Sequence, residues 1–213
     1  MPTRVYGQYC GFARALELIG ERWALLVIRD LLVGPKRFSD LQRGLPKIPS
    51  NVLTARLKEL EEAGIVRRRA QALPAGGVVY ELTEDGRGLE ETAIALGRWG
   101  AKHLGAPRAD EIVTDDSLAM ALRTIFRPEA AGHDDIGFEL HVGEIVVNAQ
   151  VHDGTVVVGR GTLPAPDLVV ESGPEIRALM AWEITPKEAL ANGTVRVRGK
   201  RALLDRFVAI FRI

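Results

Sequence analysis

The feature that most constrains this chain lies at residues 50–63, where Leu53, Leu57 and Leu60 recur at spacings of four and three and Gly64 stands at the stop. That period places the leucines on one helical face, and the glycine suits a left-handed residue after the last turn. With ~100° per residue, Asn51, Ala55 and Lys58 fall opposite the leucines, and Thr54 flanks them. A second, shorter helix is expected over 40–45, opened by Ser39-Asp-Leu-Gln42 in capping-box spacing after Phe38 and closed by Gly44 and Pro46. Upstream, 13–19 reads as a helix with Leu16 and Ile19 on one side. Residues 23–33 are apolar almost all round, as a buried central helix requires, and end at Gly34-Pro35.

Downstream, 65–72 and 78–82 are β-prone runs around Leu-Pro-Ala-Gly-Gly, predicting a hairpin with its tip at 74–77. Thr83 is expected to cap one long helix over 84–104. Its stripe of Leu89, Ala93, Leu96 and Gly100, with Ile94 and Trp99 nearby, predicts a contact between copies. Helix, short turn, helix and hairpin is the order of a winged helix-turn-helix, whose second helix enters the major groove of DNA.

Composition supports the same direction. The 213 residues carry 28 Lys+Arg against 28 Asp+Glu. The balance is uneven along the chain: residues 1–105 hold 16 bases and 12 acids, and 36–69 hold nine bases and four acids, an excess that attracts phosphate. A solvated basic face without a partner, or a helical hairpin serving protein contacts, are the plainer readings. On the outward face of 50–63, Asn51 can pair with adenine, Thr54 and Ala55 can meet a thymine methyl, and Lys58 can meet guanine or phosphate. Ser50 near the helix start is a phosphate candidate. Arg67, Arg68 and Arg69 open the hairpin, where alternation turns at least one of them to solvent for minor-groove or backbone contact. Arg37 and Lys47 flank the helices and are expected to fix register through phosphates.

Gly105-Ala-Pro-Arg-Ala-Asp110 reads as a linker between domains 1–105 and 106–213. Beyond it, helices are expected at 116–126, 174–182, 186–191 and 200–211. Strands are expected at 136–142, 145–152, 155–159, 168–170 and 194–197, in a mostly antiparallel sheet with turns at Gly143 and Gly154. The fold class is thus a mainly α winged helix-turn-helix followed by an α+β domain. Cys10 is the only cysteine, which excludes an intrachain disulfide framework and a cysteine-built zinc site. No apolar run approaches the roughly 20 residues of a membrane span, and the N-terminus lacks signal-peptide pattern, so the expected location is the cytoplasm. His103, His133, His141 and His152 accompany no nucleophile motif, metal-ligand spacing or phosphate loop, so no catalytic residue, metal or cofactor is expected. The remaining alternative is a cluster of Glu139, His141 and His152 on one sheet face.

Cys10 to Trp23, Arg37-Phe-Ser-Asp-Leu41, Leu53 to Glu61 with Ala63-Gly-Ile-Val66, and Tyr80-Glu-Leu-Thr83 with Gly86 together resemble HxlR-type winged-helix (MarR-like) transcription regulators over residues 8–104. The resemblance implies a cytoplasmic homodimer joined through its first and last helices, bound to an inverted-repeat operator and usually controlling a neighbouring operon; the expected role is that of a repressor. Pro49-Ser50 stands where that family often shows serine before proline, which bears on Ser50. Cys10 matches the position of a sensing thiol in some members, with Arg14 one turn on as the group expected to stabilise a thiolate.

Ile184 to Gly193, Val195 to Gly199 and Leu203 to Phe211 resemble the ending of the sterol-carrier-like fold. That implies an apolar tunnel and a hydrophobic small-molecule effector, with Leu179, Trp182, Phe207 and Phe211 as pocket residues; the same side chains can equally fill a core. The functional alternatives are a hydrophobic-ligand carrier with a vestigial helical domain, a thiol-based redox sensor acting through Cys10, and, third, an enzyme.

Overall fold

A computed structural model of the chain describes residues 5–72, 76–105, 108 and 110–213. The backbone divides into two compact units, Met1–Ala93 and Ile94–Ile213. The division falls inside a helix, upstream of the linker at 105–110 expected from composition; Ala106, Pro107 and Ala109 of that linker lie outside the described residues.

The first unit contains α1 (Gly11–Ile19), α2 (Ala24–Val33), α3 (Phe38–Gly44), α4 (Ser50–Glu62), β1 (Val66–Ala70), β2 (Val78–Leu82) and α5 (Glu84–Arg87), and α6 (Glu90–Ala101) begins in it. Its core joins Val27, Ile28 and Leu31 of α2 to Leu41 of α3, Leu53, Leu57 and Leu60 of α4, and Ile65. The leucine spacing of α4 is therefore a burial pattern, and Gly64, at φ +73°, takes the left-handed turn that ends the helix.

Four local expectations are corrected. Helix α2 is buried on one side only: Leu26 is exposed, and the helix starts at Ala24 because Trp23 adopts φ +80°. In α1, Ile19 is buried while Leu16 remains on the surface. Helix α3 starts at Phe38, before Ser39, because the Asp40 carboxylate reaches back to accept from the Arg37 backbone N–H at 3.2 Å. The long helix from Thr83 is broken into α5 and α6 at Gly88-Leu89.

That break has a packing cause. The Thr83 hydroxyl accepts from the Gly86 N–H at 3.1 Å and donates to the Gly64 carbonyl at 2.6 Å. Gly86 is thereby pressed onto the end of α4, so close that a Cβ would stand 2.2 Å from the Ile65 carbonyl oxygen.

Strands β1 and β2 pair antiparallel from Val66↔Leu82 to Ala70↔Val78. Lys36 extends this ribbon on its other side: its N–H donates to the Tyr80 carbonyl at 2.9 Å, and its carbonyl accepts from the Tyr80 N–H at 2.7 Å. Of the expected hairpin tip, Pro74 and Ala75 lie outside the described residues; Gly76 and Gly77 follow with φ +54° and +86°.

The second unit takes α6 from Ile94 onward and adds α7 (Asp115–Ile125), α8 (Pro128–Ala131), β3 (Asp135–Val142), β4 (Ile145–His152), β5 (Thr155–Arg160), β6 (Leu168–Ser172), α9 (Ile176–Met180), α10 (Pro186–Ala191), β7 (Val195–Gly199) and α11 (Leu203–Ile210). The short α8 has no counterpart among the expected helices, and α9 starts at Ile176 rather than at Pro174. The strands run β5-β4-β3-β6-β7, antiparallel except for the parallel pair β3 and β6.

Phe138 and Leu140 of β3, Val147 and Ala149 of β4 and Val158 of β5 form one buried sheet face. Helix α7 packs against β4 and β5. It is capped by Thr114, whose hydroxyl accepts from the Ser117 N–H at 3.2 Å, and fastened by an Asp116–Arg160 ion pair. Glu139, His141 and Asn148 lie on the other face.

Candidate nucleic-acid interface

Helix α4 presents two chemically opposite surfaces. Leu53, Leu57 and Leu60 are at most 1% exposed, whereas Ser50, Asn51, Thr54 and Lys58 are exposed and Ala55 is half-buried between them. Three commitments narrow what this face offers. The Thr54 hydroxyl donates to the Ser50 carbonyl at 2.9 Å, within the helix's own first turns. Pro49 occupies the N-cap, and no side chain caps the helix start. Lys58 faces Glu62 at 3.7 Å, a long contact with both side chains largely in water, so its charge is weakly held.

The ribbon shows why strand alternation matters. Arg67 and Arg69 lie on one face of β1 and both reach Glu81 on β2: the Arg67 Nε donates to one carboxylate oxygen at 2.9 Å and the Arg69 Nε to the other at 2.8 Å. Arg68 takes the other face and donates to Glu61 of α4 at 2.8 Å. Glu81 is buried and its carboxyl is held below the usual glutamate range, chiefly by the Arg69 hydrogen bond, with Arg67 adding to it against the cost of burial. The three guanidinium side chains stay exposed, so all three arginines reach solvent, each in a fixed position. Two cations share the one buried anion, which leaves a net positive edge on the ribbon.

Arg37 is exposed and its guanidinium donates to the Gly76 carbonyl at 2.8 Å, so it fastens Gly76 to the start of α3. Lys47 is exposed just before α4. The basic excess of 36–69 is smaller than its count suggests. Lys36 is buried, and Arg56, only 14% exposed at its side chain, is clamped by Glu59 at 2.6 Å and Glu21 at 3.5 Å. Glu61 and Glu81, which position the wing arginines, escaped the sequence reading. The signal was there in the register, since Arg67 stands directly opposite Glu81.

Cys10 is exposed at the N-cap of α1, and its thiol is held below the ordinary cysteine value, first by the Ala13 backbone N–H and next by that of Phe12. Arg14, the group expected to stabilise a thiolate, is instead paired with Glu17 at 2.8 Å.

In the second unit the four expected pocket residues part company. Leu179, Phe207 and Phe211 are fully buried. Phe207 and Phe211 join Phe138 in a packed aromatic cluster with centroids 5.1–5.9 Å apart. Trp182 is 49% exposed, with the Arg212 guanidinium 4.6 Å over its ring. His141 pairs with Glu139 at 2.9 Å, but His152 stands opposite Asp135, four residues along the strand from Glu139 and about 13 Å from it. Among the described residues no group of three or more His, Cys, Asp or Glu could hold a metal ion.

A helix with a polar outer face, propped by a shorter helix and followed by a basic ribbon, defines a winged helix-turn-helix. The HxlR-like helix-turn-helix family model matches residues 18–107. The chain is 39% identical over 109 residues to the HTH-type transcriptional regulator YtcD of Bacillus subtilis, covering 48% of this chain and 86% of that protein. It is 40% identical over 99 residues to the regulator Rv3095 of Mycobacterium tuberculosis, covering 46% of this chain and 62% of that protein. The chain belongs to the HxlR-like helix-turn-helix family, and it spans about three fifths of the length of its mycobacterial relatives. Among solved structures, the oxidised redox regulator HypR is 34% identical with a TM-score of 0.42, covering 46% of this chain and all of that one. The quinone-bound YodB of B. subtilis is 36% identical with a TM-score of 0.38, covering 43% and 96%. None of these matches extends over the C-terminal α+β unit as a whole.

Proposed function

We propose that this chain is a sequence-specific, double-stranded-DNA-binding transcription regulator that acts in the cytoplasm as a homodimeric repressor on an inverted-repeat operator. The observation that carries this reading is the exposed face of α4, with Asn51, Thr54, Ala55 and Lys58 turned away from three fully buried leucines. Asn51 brings base-edge chemistry, Lys58 supplies a cation to the phosphates beside it, Thr54 and Ala55 bring methyl contacts, and Arg67, Arg68 and Arg69 serve the flanking backbone or minor groove. Ser50, Arg37 and Lys47 act as register contacts. Exposed Phe12 on α1 and exposed Leu96 and Trp99 on α6, a helix with no buried residue, support dimerisation through the first and last helices of the family domain. Two copies would then have to set their α4 helices about 34 Å apart to reach successive major grooves.

The α+β unit, 106–213 in the sequence division, is assigned a sterol-carrier-like role in sensing a hydrophobic effector. A ligand bound there would shift the population of DNA-competent dimers. The deciding experiment is footprinting of the full chain on the DNA upstream of its own gene. A symmetric protected inverted repeat, lost when Lys58 and the three wing arginines become alanine, supports the reading. Binding of a lipophilic ligand without any protected sequence favours the carrier alternative.

Cys10 supports a second reading, regulation through a thiol. It is exposed, and the backbone N–H groups opening α1 favour its thiolate, the nucleophilic form. Operator release on alkylation of wild type, absent in Cys10→Ser, tests it.

A further inference from the structure

Within the second unit, the C-terminal end of α6, the corner between α7 and α8 and residues 212–213 enclose an open cleft of about 460 Å³. The ionisable side chains lining it are Arg98, Lys102, Arg127, Arg212 and Glu129, four cations to one acid. Arg127 pairs with that acid at 3.1 Å, and the same carboxylate also feels the Arg98 charge. The Arg98 guanidinium donates to two carbonyls, of Thr124 at 2.7 Å and Phe126 at 3.3 Å, which fixes its position without neutralising its charge. Arg212 lies over the Trp182 ring, and Lys102 has no ion-pair partner among the described residues. The floor is apolar: buried Phe126 lines the cleft and backs onto Phe211, with ring centroids 5.9 Å apart.

We infer that this cleft binds a small amphipathic organic anion, its carboxylate set among Lys102, Arg127 and Arg212 and its hydrocarbon body against Phe126. Like charges gathered on an apolar floor repel one another, and a ligand carrying one anionic group and an apolar body relieves that repulsion while covering the floor. The cleft's volume falls in the range of sites for molecules of this kind. The cleft lies outside the buried aromatic cluster, which Phe138, Phe207 and Phe211 already fill, and borders it at Phe126. It also names an effector class for the C-terminal unit. That regulatory use rests on the DNA-binding reading, whereas occupancy of the cleft does not.

The test is titration calorimetry of the full chain with 2-naphthoate and decanoate, each against its neutral alcohol. The expected result is saturable binding of at least one acid below 1 mM, at least tenfold tighter than its alcohol. Lys102→Gln and Arg212→Gln should each weaken that acid at least threefold while leaving circular dichroism unchanged. Lys102 is exposed and lacks an ion-pair partner among the described residues, so its variant keeps the test valid if Arg212→Gln disturbs folding. Three results overturn the proposal: neither acid binds, acid and alcohol bind alike, or Lys102→Gln binds as wild type does. Competition by equimolar inorganic phosphate would also overturn it, since the site would then read charge alone. None of these results bears on operator binding, which is measured separately.

Discussion

Replacing Glu81 with glutamine isolates the device that holds the wing. The carboxylate is buried and accepts one guanidinium hydrogen bond on each oxygen, from Arg67 at 2.9 Å and Arg69 at 2.8 Å. Charge-assisted bonds are worth roughly 1.5–3 kcal/mol each when shielded, but these arginine side chains are 60% and 46% exposed, and exposed pairs fall to about 0–1 kcal/mol. The two together should therefore contribute about 1–2 kcal/mol. For a unit of this size 1 kcal/mol moves the midpoint by roughly 4–8 °C, so Glu81→Gln should lower the first unit's melting temperature by about 4–16 °C at pH 7.

The pH dependence gives the sharper check. The Glu81 carboxyl ionises below its ordinary range when folded, so the folded state binds the proton less readily than the unfolded chain. The stabilisation is complete above the ordinary glutamate value of about 4.3 and is lost as pH falls through the depressed folded value. Melting curves followed by circular dichroism from pH 7 downward should show wild type and Glu81→Gln separated by a constant gap to about pH 5 and converging below 4.3. A gap that is absent at pH 7, or that persists unchanged at the lowest pH where both fold, refutes the reasoning.

Gly86→Ala should destabilise the first unit by about 2–3 kcal/mol, because its Cβ would meet the Ile65 carbonyl at 2.2 Å; Gly64→Ala, with open space but φ +73°, should cost about 1 kcal/mol, and equal losses by chemical denaturation would discredit the packing argument. Arg37→Ala, which frees the Gly76 carbonyl, should raise hydrogen exchange in 76–79 while leaving α2 protected; unchanged exchange there would show that Gly76 needs no fastening. Iodoacetamide should modify Cys10 with a pH midpoint below that of a free cysteine, and Arg14→Ala should not move it, since the lowering comes from backbone N–H groups. A midpoint that rises in Arg14→Ala would restore the arginine to that role.

Much of the first unit was legible because its signals are local. Leu53, Leu57, Leu60 and Gly64 set α4 and its stop through spacing alone, and the β-prone runs set the ribbon. Misreadings arose where a competing contact, near or distant in the chain, outweighed the one the sequence suggests. Ser39 has capping chemistry, yet Asp40 reaches Arg37 first. The stripe from Leu89 to Gly100 fits a helix, but the approach of Gly86 to Ile65 sets residues 84–87 apart from it as a short helix of their own. The exposed face of α4 followed from periodicity, while the carboxylates that hold the wing arginines depended on strand register. In the second unit, strand positions were readable from β-prone runs. The parallel pairing of β3 with β6 joins segments some thirty residues apart, and apolar spacing could not distinguish the filled cluster at Phe207 and Phe211 from a tunnel wall.

The most direct test of the central claim is the salt dependence of operator binding for wild type and Lys58→Ala, read by fluorescence anisotropy on the footprinted sequence. If the outer face of α4 lies along the duplex, wild-type affinity falls steeply with salt, and the alanine variant flattens the logarithmic slope by about 2, one contact in each half-site. A wild-type slope near zero, or a variant indistinguishable from it in both slope and affinity, would contradict the account.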